Sequence, residues 1–186
     1  MNERAKVILR FWFQESTSKE HFNRSDEFDQ KIRNLFKNDY QNAIQNKLED
    51  WQDNHKTCLA LVILLDQFSR NLFRDSPLAY ANDKKTRLIV NEAIDRGDLE
   101  KLNDSEKFFL ILPLIHSEDI SDHLFAHKLC DSFLKSHPEI EDIRKTFKHH
   151  TIPIKKFGRY PHRNKILGRK STDEEEVFLT NPNTSW

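Results

Sequence analysis

The sequence contains only 3 glycines among its 186 residues, together with 2 cysteines and 1 methionine. Average composition would supply about 13 glycines to a chain of this length. Many tight turns require a positive φ, which glycine adopts at little cost. Folds that need many such turns, such as β-sandwiches, propellers and glycine-looped nucleotide-binding sheets, are therefore disfavoured. Helical proteins need few such turns, so the shortage of glycine favours an all-α fold.

The chain also lacks net charge and long apolar runs. Its 30 Lys and Arg residues balance 30 Asp and Glu residues, whereas a protein that neutralises nucleic acid or an anionic membrane over its whole surface is normally basic. The longest apolar run, residues 58–65, is far shorter than the ~20 residues of a membrane span. Basic side chains interrupt the first 13 residues, so no signal peptide is predicted. We expect a soluble, cytoplasmic protein without a membrane partner.

Aromatic residues are plentiful, with 14 Phe, 3 Trp and 3 Tyr, and they supply the large apolar groups that disordered chains lack. We predict that residues 1–186 form one helical domain. Cys58 and Cys130 each lie in an apolar helical stretch, which suits buried, reduced thiols better than a disulfide.

The apolar spacing predicts several helices. Apolar residues recur at steps of three and four through residues 28–51, which indicates a long amphipathic helix with Asp26 as its cap. Residues 56–73 are predicted to form a central helix, and residues 139–150 another. The segment 171–175 reads as a capping box that begins a short C-terminal helix.

Prolines and a glycine mark further boundaries. Ser76 and Pro77 are predicted to begin a third helix, with proline at the first helical position, and Gly97 to end it. Pro113 is expected to kink or divide the helical segment 105–136. Successive helices joined by short polar links predict an array of helical hairpins.

Asp66 and Arg70 stand four residues apart at the end of the most hydrophobic helix, so both lie on one face. An Asp beside eight apolar residues must be paired, because an unpaired buried carboxylate is costly. Two interpretations remain open at this point. The pair is either a structural ion pair, or it holds Arg70 in place to meet an anionic ligand.

A titratable cluster, residues 116–119, follows the apolar run of the next helix. His116 beside Glu118 could transfer protons near neutral pH, or both could make helix caps and hydrogen bonds. His123 and His127 have a spacing that can bind zinc, but no HExxH motif or cysteine pair accompanies them. We predict no metal site and no cofactor.

Residues 149–170 carry seven Lys or Arg, three His and no acid, and four acids follow at residues 173–176. Two of the three glycines, Gly158 and Gly168, lie here, so we predict a basic loop at about residues 151–170. Arginines and free backbone N–H groups in such a loop suit phosphate or carboxylate. A solvated loop, or one neutralised by acids from the helices, is the alternative. One short loop is a weak signal for nucleic acid, so we expect no nucleic-acid partner.

Together these motifs resemble the DUF924 family, mostly bacterial proteins of unknown function that are all-helical and related in shape to tetratricopeptide-repeat domains. The resemblance covers nearly the whole chain. The residues that carry it are Phe11, Trp12, Phe13, Leu64, Leu65, Asp66, Gln67, Phe68, Arg70, Asn71, Pro77, Ala79, Ala81, Asp83, Leu112, Pro113, Leu114, His116, Ser117, Glu118, Asp119, Phe157, Gly158, Arg159, Pro161, His162, Arg163, Asn164, Leu167, Gly168, Arg169, Ser171, Thr172, Glu174 and Glu175. The sequence departs from the family pattern at Ser69 and Pro153, and the pattern does not include His123 or His127.

The resemblance implies a fold but no reaction. Among the matching positions we select three candidate catalytic residues and eight candidate ligand-binding residues. The catalytic candidates are His116, Glu118 and His162. The ligand-binding candidates are Asp66, Gln67, Arg70, Asn71, Arg159, Arg163, Asn164 and Arg169.

We predict that these clusters converge into one polar pocket that binds a small anionic molecule and catalyses its hydrolysis or group transfer. Arg70, Arg159 and Arg163 would clamp the anion. His116 or His162 would act as acid or base, oriented by Asp66 and Glu118.

Two alternatives stay open. One is a non-enzymatic module that binds a peptide or protein along a groove of the helical array. The other is a purely architectural network that locks the C-terminal loop onto the helices.

Overall fold

The computed structural model describes residues 2–182 and 184, and this part of the chain is helical and contains no strand. The predicted all-α fold is therefore confirmed. The α-helices are α1 (Glu3–Arg10), α2 (Ser18–Phe22), α3 (Asp26–Ile44), α4 (His55–Val62), α5 (Ser69–Leu72), α6 (Asp83–Asp95), α7 (Asp104–Ile115), α8 (Ile120–Phe133), α9 (Ile140–Phe157) and α10 (Asp173–Leu179). Wider π turns span Phe11–Glu15 and Ile63–Phe68, and tighter 3-10 turns span Glu49–Asp53, Pro77–Ala79, Leu99–Lys101 and Pro161–Arg163.

One continuous apolar core joins α1, α3, α4 and α6–α9. Its largest side chains are aromatic, and rings of Phe11, Phe36 and Phe68 contact one another with centroids 4.9–6.0 Å apart. Burial of such rings is the main favourable term in folding. Cys58 and Cys130 are buried free thiols within this core, as predicted. None of the helices described is long and apolar enough to cross a membrane.

The central helix is confirmed, with an internal irregularity. Helix α4 continues without a break through the π turn Ile63–Phe68 into α5. A π turn widens the helix and changes the direction of the side chains that follow, and such turns occur frequently at functional sites. Asp66 lies in this turn.

Three predicted boundaries were wrong. Ser25, and not Asp26, caps α3: its hydroxyl accepts the Phe28 N–H at 3.2 Å. Helix α3 ends at Ile44, and the left-handed Asn46 (φ 60°) turns the chain away before residues 49–53. Ser76 and Pro77 begin only a short 3-10 turn, because α6 starts at Asp83.

The segment 105–136 divides into α7 and α8, as predicted, but the break lies at residues 116–119 and not at Pro113 itself. Neither Pro113 nor Pro153 interrupts the helix that contains it. Pro113 lies inside α7, which ends two residues later at Ile115, and Pro153 lies inside α9, which continues to Phe157. Proline removes one backbone hydrogen bond, and tertiary packing on both sides outweighs that loss. The basic loop therefore begins at Gly158 and not near residue 151.

Gly158 ends α9 in the left-handed conformation, with φ of 68°. The capping box of the last helix is confirmed. The Thr172 hydroxyl accepts the Glu175 N–H at 3.2 Å, and the Glu175 carboxylate accepts the Thr172 N–H at 2.8 Å.

Candidate functional site

Asp66 and His116 form a hydrogen-bonded pair in the interior. The Nδ1 atom of His116, which caps the end of α7, lies 2.8 Å from Oδ1 of Asp66 in the π turn. Asp66 is ionised at neutral pH, so Nδ1 must carry the proton and donate it. Nε2 on the other edge of the ring then holds a lone pair, and no described residue hydrogen-bonds it.

Two further groups hold the Asp66 carboxylate. Nη1 of Arg70 lies 3.2 Å from Oδ1 of Asp66 and donates to its backbone carbonyl at 2.5 Å. The side-chain amide of Gln67 donates to Oδ2. Both contacts come from the same segment of helix, and the i,i+4 spacing predicted the first of them.

These contacts set the protonation states of the pair. Burial would raise the pKa of Asp66, but the charge of Arg70 and the interaction with His116 outweigh it and lower that pKa to about 2. Burial lowers the pKa of His116, and the charge of Asp66 only partly opposes this. At neutral pH the pair is therefore a carboxylate with a neutral imidazole, which can accept a proton.

His116 lines a cavity of about 300 Å³. The lining residues are Pro77, Tyr80, Ala81, Asp83, Lys84, Arg87, His116, Ser117, Glu118, Arg163 and Leu167. They come from the turn before α6, from the first turns of α6, from the link between α7 and α8, and from the basic loop. Of the residues selected from sequence, the cavity brings together His116, Glu118 and Arg163.

Asp83 connects Arg70 to Arg163. Its carboxylate accepts from Nη2 of Arg70 at 3.2 and 3.3 Å and from Nη1 of Arg163 at 3.2 Å. The guanidinium of Arg163 also lies over two aromatic rings, 4.4 Å from the centroid of Tyr80 and 4.5 Å from that of Tyr160. These two cation–π contacts restrict the position of the guanidinium.

Lys84 and Arg87 line the cavity but were not selected from the sequence. Nη1 of Arg87 donates to Ser117 Oγ at 2.7 Å and pairs with Asp122. Lys84 is exposed, and within residues 2–182 and 184 it has no ion-pair partner. Their i,i+3 spacing on a helix was the available signal, but nothing in the sequence shows that this face meets the Asp66–His116 pair.

Glu118 holds the basic loop. Its carboxylate accepts two hydrogen bonds from Arg169, at 2.6 and 2.9 Å, and the backbone N–H of Tyr160 at 2.8 Å. Burial would raise the pKa of Glu118, but these donors outweigh it and lower that pKa. Two elements far apart in sequence are thereby joined at the edge of the cavity.

The remaining loop residues pair with the C-terminal helix. Arg159 donates to Glu175 at 2.6 and 2.7 Å, and these bonds lower the pKa of Glu175 to about 2. The side-chain amide of Asn164 bonds Glu175 at 3.2 Å and Ser171 at 3.1 Å, and its oxygen accepts from Arg169 at 2.9 Å. None of Arg159, Asn164 and Arg169 is among the cavity-lining residues.

Asn71 lies in a different network, where its amide donates to the Asp29 carboxylate at 2.8 Å. Asp29 also pairs with Arg74, so this group ties α5 to α3. Asn71 is not among the residues that line the cavity.

His150 is buried and His162 is half-buried, and neither lines the cavity. The His150 ring is 6.3 Å from the rings of His116 and Tyr160, centroid to centroid, and His162 is 5.3 Å from Tyr160. Burial lowers the pKa of His150 and of His162 to about 3, and the nearby charge of Arg163 adds to the effect at His162. His162 is not among the lining residues, so His116 is the histidine that faces the cavity.

His123 and His127, the pair with zinc-like spacing, share a hydroxyl. Nδ1 of His123 is 3.1 Å from Thr151 Oγ1, and Nε2 of His127 is 2.9 Å from it. These contacts connect α8 to α9.

Comparisons with known proteins agree with one another. A family model described as "Bacterial protein of unknown function (DUF924)" matches residues 8–183. A solved structure of a protein of unknown function from Agrobacterium tumefaciens is 32% identical, with a TM-score of 0.84 over 94% of this chain and 96% of that one. None of the curated proteins compared with the chain matches it.

Proposed function

The chain belongs to the DUF924 family of bacterial proteins of unknown function, and we propose that it binds a small anion in this cavity and uses His116 as a general base. The reaction class is hydrolysis or group transfer on a compound that carries a phosphate or carboxylate. One observation carries the proposal: the Asp66–His116 pair lies at the wall of a cavity with a free imidazole nitrogen and cationic side chains.

The pair supplies what a general base needs. The buried Asp66 carboxylate fixes the tautomer of His116 and stabilises the imidazolium that forms when Nε2 takes a proton. In hydrolysis, Nε2 takes a proton from water while the water oxygen attacks the phosphorus or carbonyl carbon. The bond to the leaving group breaks, and the imidazolium returns the proton to the leaving oxygen. In group transfer an acceptor hydroxyl replaces the water.

The charges around the cavity favour an anion. Lys84, Arg87 and Arg163 line it together with two carboxylates, Asp83 and Glu118, and His116 is neutral. A small excess of positive charge within low-dielectric walls attracts an anionic group. A volume of about 300 Å³ is at the small end of ligand sites, which favours a small molecule.

Activity assays on a panel of phosphate monoesters and carboxylate-bearing esters test this proposal. We expect wild type to turn over at least one of them, and His116→Ala to lose about 10²–10⁴-fold in kcat/KM. His149→Ala is the matched control, because His149 is exposed on α9 outside the cavity-lining set. Equal rates for wild type and His116→Ala would remove the catalytic role of His116.

The loop contacts favour a second role for part of the predicted site. Because Glu118 pairs with Arg169 and Arg159 with Glu175, these residues support an architectural function in which the loop is locked onto the helices. In that case their substitution lowers stability and leaves the chemistry at His116 intact.

A further inference from the structure

We propose that the anionic group bound in the cavity is the phosphate of a small phosphate monoester, held by Lys84, Arg87 and the Ser117 hydroxyl. This inference rests on the proposed function and sharpens it. It assigns the anion to the first turns of α6 and not to the arginines of the basic loop.

The distribution of partners around the cavity carries the first step. Arg163 and Arg70 share Asp83, Arg70 also pairs with Asp66, and Arg169 pairs with Glu118. A cation that already has a carboxylate partner gains less from a second anion, and this applies to Arg87, which pairs with Asp122, as well as to the loop arginines. Lys84 is the lining cation that has no such partner among residues 2–182 and 184. The positive charge that remains uncompensated at the site is therefore that of Lys84.

Arg87 lies one helical turn beyond Lys84, so both project from one face of α6. Its Nη1 atom already donates hydrogen bonds to the Asp122 carboxylate and to Ser117 Oγ. A guanidinium has five N–H donors, so others remain for a bound anion. The face thus presents an ammonium and a guanidinium to the same cavity.

Ser117 adds a neutral donor. Its Oγ accepts from Arg87 at 2.7 Å and from the backbone N–H of Asp119 at 3.0 Å. Neither bond uses the hydroxyl proton, and no described residue accepts it. Ser117 lines the cavity, so this proton is available to an oxygen of the ligand.

Three separate donors match the three non-bridging oxygens of a phosphate monoester better than the two oxygens of a carboxylate. Four of the other lining residues are apolar or aromatic. Pro77, Ala81 and Leu167, with the ring of Tyr80, form an apolar portion of the wall that suits a compact organic group. His116 lies beside this arrangement, where a base for attack on phosphorus is required.

Phenylphosphonate and benzoate make a matched pair of probes, since they share the ring and differ in the anionic group. Phenylphosphonate also has no ester bond to hydrolyse. By isothermal titration calorimetry we expect wild type to bind phenylphosphonate at least tenfold more tightly than benzoate. Lys84→Gln should weaken that binding about tenfold, the scale of one charged hydrogen bond.

Two variants complete the experiment. Ser117→Ala should weaken phenylphosphonate binding about threefold or more. Lys37→Gln is the control, because Lys37 is exposed on α3 and does not line the cavity. Lys84 makes no ion pair with the described residues, so Lys84→Gln should keep the wild-type melting temperature. An unchanged melting temperature would show that the weaker binding of this variant does not come from a folding defect.

The outcomes separate this inference from the proposed function. Equal affinity for both probes overturns the assignment to phosphate and leaves the anion site in place. Binding that is unchanged in Lys84→Gln overturns the assignment to α6. If neither probe binds and no His116-dependent turnover is found, the proposed function fails as well.

Discussion

Arg169 donates two hydrogen bonds to Glu118, 51 residues earlier in the chain, from Nη1 to Oε2 at 2.6 Å and from Nη2 to Oε1 at 2.9 Å. Its Nη2 also donates to the backbone carbonyl of Tyr160 at 3.1 Å. The basic loop is thus attached to the short link between α7 and α8, which also carries His116. A loop held in this way can contribute walls to the cavity.

Removal of this attachment should reduce stability. Arg169→Met leaves the partly buried Glu118 carboxylate without its charged donors, so we expect a loss of about 1–3 kcal/mol in the free energy of unfolding, measured with urea. Arg144→Met is the control, because Arg144 pairs with Asp131 on the surface and should produce no measurable change. A wild-type unfolding curve for Arg169→Met would contradict the architectural role of the pair.

Substitution of Asp66 should have a larger effect. Asp66→Asn removes a buried charge that pairs with Arg70 and His116, and we expect a loss of about 3–5 kcal/mol in the free energy of unfolding. The charge of Asp66 raises the pKa of His116, so the same substitution should lower that pKa further, as followed by NMR of the imidazole. Asp131→Asn, at an exposed position, is the control. If both substitutions changed the free energy of unfolding by an equally small amount, Asp66 would not be buried as described.

Stability should fall as the pH decreases from about 6.5. Burial lowers the pKa of His150 and of His162 to about 3, whereas an unfolded histidine titrates near 6.5. Between these values the unfolded chain binds more protons, so the stabilisation is complete above pH ~6.5 and declines as the pH falls. Each histidine contributes up to about 1.4 kcal/mol per pH unit.

Urea unfolding at pH 7.5, 6 and 5 measures this slope. Asp66, with a pKa lowered to about 2, adds a further loss only below pH ~5, where unfolded aspartate begins to bind protons. His150→Asn should make the slope shallower, and the exposed His149→Asn should leave it unchanged. Equal stability at pH 7.5 and pH 5 would contradict the lowered pKa values of these two histidines.

The end of α9 depends on glycine. Gly158 has φ of 68°, and a Cβ atom at this position would meet no heavy atom within 4 Å. The cost of Gly158→Ala therefore comes from the backbone alone and should be about 1 kcal/mol, measured by thermal or urea unfolding. Gly158→Asn should cost less, because asparagine tolerates the left-handed region. No difference between Gly158→Ala and wild type would exclude this conformation in solution.

Local patterns predicted the helices well and their ends less well. Scarce glycine and three- and four-residue spacing predicted the all-α fold, and the Thr172–Glu175 capping box was correct in detail. Pro113 was expected to kink or divide the segment 105–136, and that segment does divide shortly after it, whereas Pro153, which falls in the predicted loop, lies inside α9. The propensity of one residue is a weak term, and burial of the surrounding helix outweighs it.

In the candidate site, too, contacts within one helix were predictable from the sequence, and contacts between helices were not. The contact between Asp66 and Arg70 lies within one helix and followed from their spacing. The hydrogen bond from His116 to Asp66 spans 50 residues, and the positions of Lys84 and Arg87 beside it depend on how α6 packs against α7. No local pattern encodes that packing, so Lys84 and Arg87 were not selected from the sequence.

The sequence by itself determined the fold class, the free cysteines and the chemical types available: imidazole, carboxylates and a strongly basic segment. Helix periodicity and residue chemistry are local properties, and one chain suffices to show them. Only the tertiary structure decided which charges are already compensated. Arg163 and Arg169 pair with carboxylates that lie 80 and 51 residues earlier in the chain, and pairing across such distances is set by the packing of whole helices. Arg159 pairs with Glu175 in the following helix.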